Sequence, residues 1–274
     1  MRIALIGQSA FGKSVLEALI EKGEDEIVGV FAPPTKEGRS PDPISTAAAE
    51  LNVPVFEFNR LRDQDAVDQF KALEPELCVM AFVTDIVPMS MINFPSLGTI
   101  QYHPSLLPLH RGPSSINWPI IFGKTQTGLS IFWPDEGLDT GPILLQKEVE
   151  IGPDDTLGSL YFNHLFPMGV AAMTEAVDLV RAETAPRIEQ DPSGGSYEGW
   201  CTPDDVRIDW HQDVDQIYNM IRGANPQPGA WTTFAGKRLT VLGSSKSDNT
   251  DGDPGAVIAA DASGITVGDR KSVV

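Results

Sequence analysis

The sequence is poor in cysteine and has no long apolar run. Its two cysteines, Cys78 and Cys201, lie far apart and neither belongs to a C-x-x-C pair, so neither a disulfide framework nor a cysteine-ligated metal is predicted. No apolar stretch approaches membrane-spanning length, and the apolar run in Met1–Gly7 is too short for a signal peptide. We therefore expect a cytoplasmic protein without membrane contacts.

Basic residues are also scarce. Lysine and arginine number 20 against 38 acidic residues, which gives a formal charge of −18. The acids are spread along the chain without a long run of like charge, which is typical of a solubilising surface. Such a surface repels the phosphates of nucleic acids and anionic membranes.

The length of 274 residues, of which 41% are hydrophobic, predicts one large domain and a smaller one. In the first part of the chain, strand-like apolar segments alternate with segments of helical periodicity. This alternation predicts an α/β domain with a parallel sheet and helices on both faces. The predicted strands are Arg2–Gly7, Ile27–Phe31, Val53–Phe58, Leu77–Phe82, Gly98–His103, Gly128–Phe132 and Ile143–Val149. The longest predicted helix, Thr156–Val180, contains Pro167, where we expect a kink or two helices.

A segment rich in Pro, Gly and Ser interrupts this pattern. We predict a catalytic-type domain at residues 1–182, a linker at 183–206 and a β-rich domain at 207–274. Short strand-like segments in the last part predict a small β-barrel or sandwich. Little chain follows these segments before Val274 to close a barrel.

The glycine turn Gly7–Gly12 follows the first predicted strand and opens a helix, where a phosphate can bind. However, Ser9 occupies the middle glycine of the dinucleotide fingerprint, and the segment Phe31–Pro34 has no acidic residue for a ribose. We favour a structural turn over a nucleotide site. An NAD-dependent oxidoreductase is kept only as an alternative.

Polar residues gather at the end of a later predicted strand. Gln101 and His103 lie two positions apart, so their side chains leave the same face, and Pro104 ends the strand. His110 and Arg111 follow, although the chain has only 4 histidines. A lone histidine is usually a core or surface residue, but this grouping favours a ligand site at a strand end.

Asp139 lies 36 positions after His103, in a loop with a glycine on either side. Gly137 and Gly141 permit unusual backbone angles and close approach of a ligand. Taken alone, this acidic loop fits an ordinary turn equally well. Together, however, an imidazole, a carboxylate and the Gln101 amide are the groups needed to move or hydrolyse a small acyl group.

These segments resemble the folate-dependent formyltransferase family. The matching pieces are RIALIGQSAFG at the start, YHPSLLPLHRGPSSINW, SIFWPDEGLDTGPILLQKE and the late IRGANPQPGAWT. The chain is more similar to the N-terminal hydrolase domain of 10-formyltetrahydrofolate dehydrogenase, and it is also similar to methionyl-tRNA formyltransferase. The resemblance implies a Rossmann-like, mostly parallel sheet followed by a small OB-like β-barrel. Relatives run a little past Val274, so we expect the last barrel strands to be missing.

The resemblance also implies roles for individual residues. His103 and Asp139 match the catalytic histidine and aspartate. Gln101 stands where the transferases carry asparagine and the dehydrogenases an aliphatic residue, so this chain departs from both and keeps an amide with one more methylene. The positions implied to bind the folate are Asp85, Ile86, Val87, Trp133, Asp135, Glu136 and Leu138.

The implied activity is hydrolysis or transfer of the formyl group of 10-formyltetrahydrofolate, which releases tetrahydrofolate. The aldehyde dehydrogenase part of the dehydrogenase is absent from this sequence, so no NADP-linked oxidation is expected. No metal and no NAD are expected. The tRNA formyltransferases carry a longer basic loop after the second strand, whereas Pro33–Pro43 is short and has two acids and two bases. We therefore expect water or a small amine as acceptor rather than tRNA. A methionyl-tRNA formyltransferase and a non-catalytic folate-binding protein stay open as alternatives, and the acceptor and the oligomeric state do not follow from the sequence.

Overall fold

The computed structural model describes residues 1–247, 252–262 and 264–270. They form two compact units, each assembled from separate stretches of chain. The first unit consists of Met1–Arg111, Gly128–Glu148 and Leu165–Ser196, and the second of Gly112–Thr127, Val149–His164 and the described part of Tyr197–Val274. The domain boundaries at 1–182, 183–206 and 207–274 stay a prediction.

A seven-stranded sheet forms the centre of the first unit. Its strands are β1 (Arg2–Gly7), β2 (Glu26–Ala32), β3 (Val55–Glu57), β4 (Leu77–Ala81), β5 (Thr99–His103), β6 (Gln126–Phe132) and β7 (Ile143–Glu150). They lie in the order β3-β2-β1-β4-β5-β6-β7. Strands β1 to β5 pair in parallel, whereas β6 is antiparallel to β5. The predicted mostly parallel α/β sheet is confirmed.

Helices cover both faces of this sheet. Successive side chains of the inner strands point to opposite faces, and those on both faces are apolar. Ile3 and Leu5 of β1 belong to one hydrophobic cluster, and Ala4 and Ile6 belong to the other. The helices of the first unit are α1 (Ser9–Lys22), α2 (Pro43–Glu50), α3 (Gln64–Ala72), α4 (Met89–Ile92) and, later in the chain, α7 (Phe166–Arg181). Helices α1, α2 and α7 pack in the first cluster, and α3 and α4 in the second.

The order of the strands determines which loops are neighbours. The chain reverses direction across the sheet between β1 and β4, and such a reversal leaves a crevice at the carboxyl ends of the strands. Gly7 of β1 pairs with Ala81 of β4, and Met80 pairs with Gln101 of β5. The carboxyl ends of β1, β4 and β5 therefore lie side by side, and His103 ends the last of them.

The predicted long helix is divided into three parts. It consists of α6 (Leu157–Leu160), a π-helical segment (Tyr161–Leu165) and α7. Pro167 lies in the first turn of α7, directly after the π-helical segment. The predicted break is thus present, but the irregular backbone precedes the proline.

The second unit combines short helices with two hairpins. Besides α6 it contains α5 (Asn117–Ile121), α8 (Val214–Gly223), β8 (Ala230–Phe234), β9 (Lys237–Val241), β10 (Val257–Asp261) and β11 (Gly264–Val267). Strands β8 and β9 form one antiparallel sheet, and β10 and β11 form another. The predicted β-rich region is present, whereas its closure into an OB-like barrel stays a prediction.

The late motif IRGANPQPGAWT has a structural explanation in this second unit. Arg222 of α8 is buried and donates hydrogen bonds from Nη1 to the carbonyl oxygens of Gly152, at 3.3 Å, and Asp155, at 3.0 Å. Asn117 donates from Nδ2 to the carbonyl oxygen of Gly223, at 2.9 Å. The motif therefore connects helices and loops within the second unit.

Replacing Arg222 with methionine is expected to lower the free energy of unfolding by about 2–3 kcal/mol, because two loop carbonyls lose a charged donor. Urea denaturation followed by circular dichroism measures this change. Lys237→Met is the control, since Lys237 is exposed on β9, and it should change the free energy by less than about 0.5 kcal/mol. Equal losses in both variants would contradict the assignment.

Candidate active site

His103 is buried at the carboxyl end of β5, and two groups face its ring. Its Nε2 atom lies 2.9 Å from the carbonyl oxygen of His110. Because a carbonyl only accepts, Nε2 carries the proton and donates it to this bond. The other nitrogen, Nδ1, lies 3.7 Å from Oδ2 of Asp139. The structure thus brings together the histidine and the aspartate that the sequence singled out.

Both members of the pair are shielded from water. The exposed side-chain fractions are 7% for His103 and 6% for Asp139. The 3.7 Å separation is longer than a hydrogen bond but short enough for a strong attraction once the ring is protonated. Such a pair can take up a proton at Nδ1 and stabilise the resulting imidazolium.

The loop that carries Asp139 is held by Asp135. The Asp135 carboxylate accepts hydrogen bonds from the backbone N–H of Gly137, at 3.0 Å, and from Oγ1 of Thr140, at 2.6 Å. Asp139 itself has the left-handed φ of 56°. The unusual backbone angle therefore falls on the aspartate and on neither flanking glycine.

The flanking glycines are explained by close packing. A Cβ on Gly137 would overlap Oγ1 of Thr140, and a Cβ on Gly141 would overlap the carbonyl oxygen of Trp133. The sequence correctly indicated an unusual loop, but it misplaced the residue with the unusual angle.

Gln101 lies on the same strand face as His103, as predicted. Tyr102 between them points the other way, where its ring lies 4.3 Å from that of Phe11. The Gln101 side chain is half-buried and makes no hydrogen bond to any residue that the structure describes. Its amide is therefore available to a ligand beside the His103–Asp139 pair.

The residues predicted to bind folate differ in their surroundings. Ile86 and Leu138 are 69% and 57% exposed, so each offers apolar surface to a ligand. Asp85 uses its carboxylate within the protein, where Oδ2 accepts from the backbone N–H of Leu61 at 2.7 Å. Val87 and Trp133 are buried, and Asp135 and Glu136 are exposed. Folate contacts at these positions stay a prediction.

A cavity of about 200 Å³ lies at the carboxyl ends of β1 to β4. Its polar lining includes Gln8, Asn59, Thr84 and the carboxylate Asp85, and its apolar lining includes Phe31 and Phe82. None of the described residues that line it is a lysine or an arginine.

The glycine turn after β1 serves packing. A Cβ on Gly7 would lie 2.6 Å from the carbonyl oxygen of Ala81. At the amino end of α1, the backbone N–H of Ser9 donates to the Asp42 carboxylate at 2.7 Å. A carboxylate of the protein therefore accepts the hydrogen bond that a bound phosphate would accept, and this favours the structural turn over the nucleotide site.

Sequence reasoning missed the residues that hold the His103 loop. Ser130 of β6 donates to the carbonyl oxygen of Ser105 at 2.7 Å and accepts from the backbone N–H of Leu107 at 3.0 Å. Gln146 of β7 donates to the carbonyl oxygen of Leu107 at 2.9 Å. The sequence signal that could have identified Ser130 is a serine within an apolar strand, and in the structure this serine is fully buried.

A second missed group lies in the segment predicted as a linker. Gln190 donates to the carbonyl oxygens of Asp139, at 2.9 Å, and Gly141, at 2.7 Å. Ser196 accepts at Oγ from the backbone N–H of His110, at 2.9 Å. Polar residues in a Pro- and Gly-rich stretch give no periodic signal, so the sequence did not identify them.

The described part of the chain contains no group of three or more His, Cys, Asp or Glu placed to hold a metal ion. None of its helices is long and apolar enough to cross a membrane.

Residues 1–177 match the Formyl transferase family, and residues 201–274 match the Formyl transferase, C-terminal domain. The chain belongs to the formyl transferase family. The resemblance inferred from the motifs is confirmed, and the matches extend over both compact units.

Relatives of this chain include proteins of two kinds. Cytosolic 10-formyltetrahydrofolate dehydrogenase of Xenopus tropicalis is 45% identical over 262 residues, which are 93% of this chain and 29% of the relative. The chain thus spans less than a third of that protein. Methionyl-tRNA formyltransferase of Geobacter metallireducens is 36% identical over 272 residues, which are 98% of this chain and 87% of the relative.

A solved structure shares the fold of this chain. The structure of HypX from Aquifex aeolicus in complex with tetrahydrofolic acid has a TM-score of 0.71 and 19% sequence identity. The match covers 98% of this chain and 42% of HypX. At this identity, the likeness shows the formyltransferase fold alone.

Proposed function

We propose that this formyl transferase removes the formyl group of 10-formyltetrahydrofolate by hydrolysis and passes it to a small amine when one reaches the site. The observation that carries this proposal is the buried His103–Asp139 pair at 3.7 Å, with the unbonded Gln101 amide on the same strand face. These groups supply a proton acceptor, a stabilising carboxylate and a hydrogen-bond donor around one carbonyl.

The hydrogen bond at Nε2 of His103 supports hydrolysis. In the neutral ring that donates this bond, Nδ1 has an available lone pair, and it accepts a proton from water as the water oxygen attacks the formyl carbon. Asp139 stabilises the imidazolium that forms. The carbon–N10 bond then breaks, and His103 returns the proton to N10. The products are formate and tetrahydrofolate.

Attack on the formyl carbon places negative charge on the formyl oxygen. The Gln101 amide is an unbonded donor on the strand face of His103, and we assign it to this oxygen. One well-placed donor of this kind lowers the barrier by about 3 kcal/mol.

Two observations support a small acceptor. The described lining of the cavity holds one carboxylate, Asp85, and no lysine or arginine, and the loop Pro33–Pro43 carries equal numbers of acids and bases. A tRNA is gripped through several lysine and arginine contacts to phosphates, which these features do not offer. A methionyl-tRNA formyltransferase remains the second candidate because the relative in Geobacter metallireducens aligns over 87% of its own length.

We extend the proposal to the surroundings of the site. The pterin end of the folate lies against Ile86 and Leu138, with Asp85, Val87, Trp133, Asp135 and Glu136 shaping their loops. The predicted β-rich domain at residues 207–274 closes as an OB-like barrel. The protein acts in the cytoplasm, like the relative whose name includes "cytosolic".

The test is product analysis with a labelled formyl group. Purified protein is incubated with 10-formyltetrahydrofolate alone, with candidate amines and with charged initiator tRNA. Labelled formate in every mixture supports hydrolysis, and a labelled small amine supports transfer. Formylated tRNA that forms faster than formate would reverse the ranking, and tight folate binding without product would identify a non-catalytic binder.

Gln101→Leu is expected to lower kcat for formate release by about 10²-fold, because the developing oxyanion loses its donor. Gln101→Asn keeps an amide with a shorter reach and should retain more activity than the leucine variant. Steady-state kinetics of both variants measures the difference. Equal activity in Gln101→Leu and the unsubstituted protein would show that the amide does not contact the reacting oxygen.

A further inference from the structure

A single segment of chain holds both loops that carry the catalytic pair. We call residues 186–196 the strap. Near one end, Ile188 and Ile143 exchange two backbone hydrogen bonds of 2.8 and 3.0 Å. At the other end, the backbone N–H of Ser196 donates to the carbonyl oxygen of Pro108, and its carbonyl accepts from the backbone N–H of Arg111, both at 3.1 Å.

Gln190 lies in the middle of the strap and uses both ends of its amide. Its Nε2 donates to the carbonyl oxygen of Asp139 at 2.9 Å and to that of Gly141 at 2.7 Å. Its Oε1 accepts from Nη2 of Arg111 at 3.1 Å. One side chain therefore binds the backbone of the catalytic aspartate on one side and the loop after β5 on the other.

These contacts close a ring around the catalytic pair. His103 donates to the carbonyl oxygen of His110, the residue that precedes Arg111. Arg111 donates to Gln190, and Gln190 donates to Asp139, whose carboxylate faces His103 again. The distance between imidazole and carboxylate is thus set by a circuit that contains Gln190.

The backbone of Asp139 needs such support. Its φ of 56° is disfavoured for any residue with a Cβ, because Cβ crowds the following carbonyl oxygen. The hydrogen bonds from Gln190 fix two carbonyl groups of this loop, that of Asp139 and that of Gly141 two residues later. Without them, the loop is expected to relax and to carry the carboxylate away from His103.

We propose that Gln190 is a positioning residue that sets the Asp139 carboxylate against His103 by donating to the carbonyl groups of the Asp139 loop. The catalytic consequence rests on the proposed function, whereas the ordering of the loop does not. The strap is then a part of the site, although its composition resembles that of a linker.

Two variants separate the donor function of Gln190 from its contact with Arg111. Gln190→Ala removes both, and Gln190→Glu keeps an acceptor for Arg111 but loses both donors. We expect each to lower kcat for formate release by about 10²-fold, because a small displacement of a catalytic group has an effect of this size. KM should change by less than about threefold, since both ends of the Gln190 amide are engaged by other residues of the protein. Full activity in Gln190→Glu would assign the residue to Arg111 and overturn the proposal.

The matched control is Glu189→Gln, which changes the exposed neighbour of Gln190 on the same strap. It should leave kcat and KM unchanged. A double-mutant cycle with Asp139→Asn tests the route of the effect. If Gln190 acts through Asp139, then adding Gln190→Ala to the Asp139→Asn variant should lower kcat by less than about threefold. A further loss of kcat as large as that of Gln190→Ala alone would overturn the positioning role.

Hydrogen–deuterium exchange tests the proposal without reference to activity. In Gln190→Ala, the backbone amides of residues 135–141 should exchange about tenfold faster, while the amides of β1 keep their exchange rates. In the Glu189→Gln control, the exchange rates of both segments should equal those of the unsubstituted protein. Unchanged exchange in residues 135–141 overturns the proposal. If the unsubstituted protein releases no formate above the Asp139→Asn variant, the proposed function fails, and the exchange result still decides whether Gln190 orders the loop.

Discussion

Replacing Asp139 with asparagine is expected to lower kcat for formate release from 10-formyltetrahydrofolate by about 10³-fold. Asparagine has nearly the same shape but carries no charge, so it cannot stabilise the imidazolium that His103 becomes as water attacks. The side chain is 6% exposed, so water does not replace the missing charge. KM should stay within about threefold, because the carboxylate acts on the transition state.

The matched control for this variant is Asp209→Asn. Asp209 also faces a histidine, since its Oδ1 lies 3.0 Å from Nδ1 of His211, but both side chains are exposed. Its replacement should leave the kinetics unchanged. Thermal denaturation of both variants separates lost catalysis from lost folding. An Asp139→Asn variant that keeps the stability and the turnover of the unsubstituted protein would remove the carboxylate from the mechanism.

His103→Asn is expected to have the larger effect, with a loss of about 10⁴-fold in kcat. In the proposed mechanism, His103 takes the proton from water and returns it to N10, so its removal affects both halves of the reaction. Asparagine can retain a hydrogen bond to the His110 carbonyl, which now accepts from Nε2 at 2.9 Å, but it cannot carry a proton at neutral pH.

His211→Asn is the control, because His211 is an exposed histidine paired with a carboxylate. The variant should hydrolyse the folate at the unsubstituted rate. Equilibrium dialysis with tetrahydrofolate shows whether His103→Asn still binds the product. Retained binding with lost turnover is the expected result, and retained turnover would exclude His103 as the proton carrier.

The losses of kcat caused by His103→Asn and Asp139→Asn should not be additive. In the proposed mechanism, His103 and Asp139 act on the same proton, so the double variant is expected to lose little more activity than His103→Asn alone. Additive losses would mean that the two side chains act in separate steps. Stopped reactions with labelled substrate extend the measurement to the slow variants.

The sequence predicted the framework of the site because that framework is periodic. Strand β1 is apolar at successive positions, so it was predicted as a strand buried on both faces. The two-residue period of strands placed Gln101 and His103 on one face, and the structure has them there, with Tyr102 packed on Phe11 opposite. Local periodicity therefore determined the elements and the direction of their side chains.

Contacts between loops could not be predicted from the sequence. The sequence indicated that the loop around Asp139 is unusual, but only the packing shows why its glycines are needed, since Gly141 lies against the carbonyl oxygen of Trp133. The helix interruption before Pro167 was expected at the proline itself, whereas the π-helical turn comes first. In both cases the local sequence limits the conformations, and neighbours from elsewhere in the chain select one of them.

By itself, the sequence determined the α/β order, the family and the side chains capable of the chemistry, because these depend on residue types and short-range spacing. Only the tertiary structure decided that Nδ1 of His103 faces Asp139, that the His110 carbonyl fixes the proton on Nε2, and that Gln190 binds the Asp139 loop. Those contacts join segments that are distant in the chain and follow irregular paths. No periodic pattern records where such paths meet, so only the folded chain specifies them.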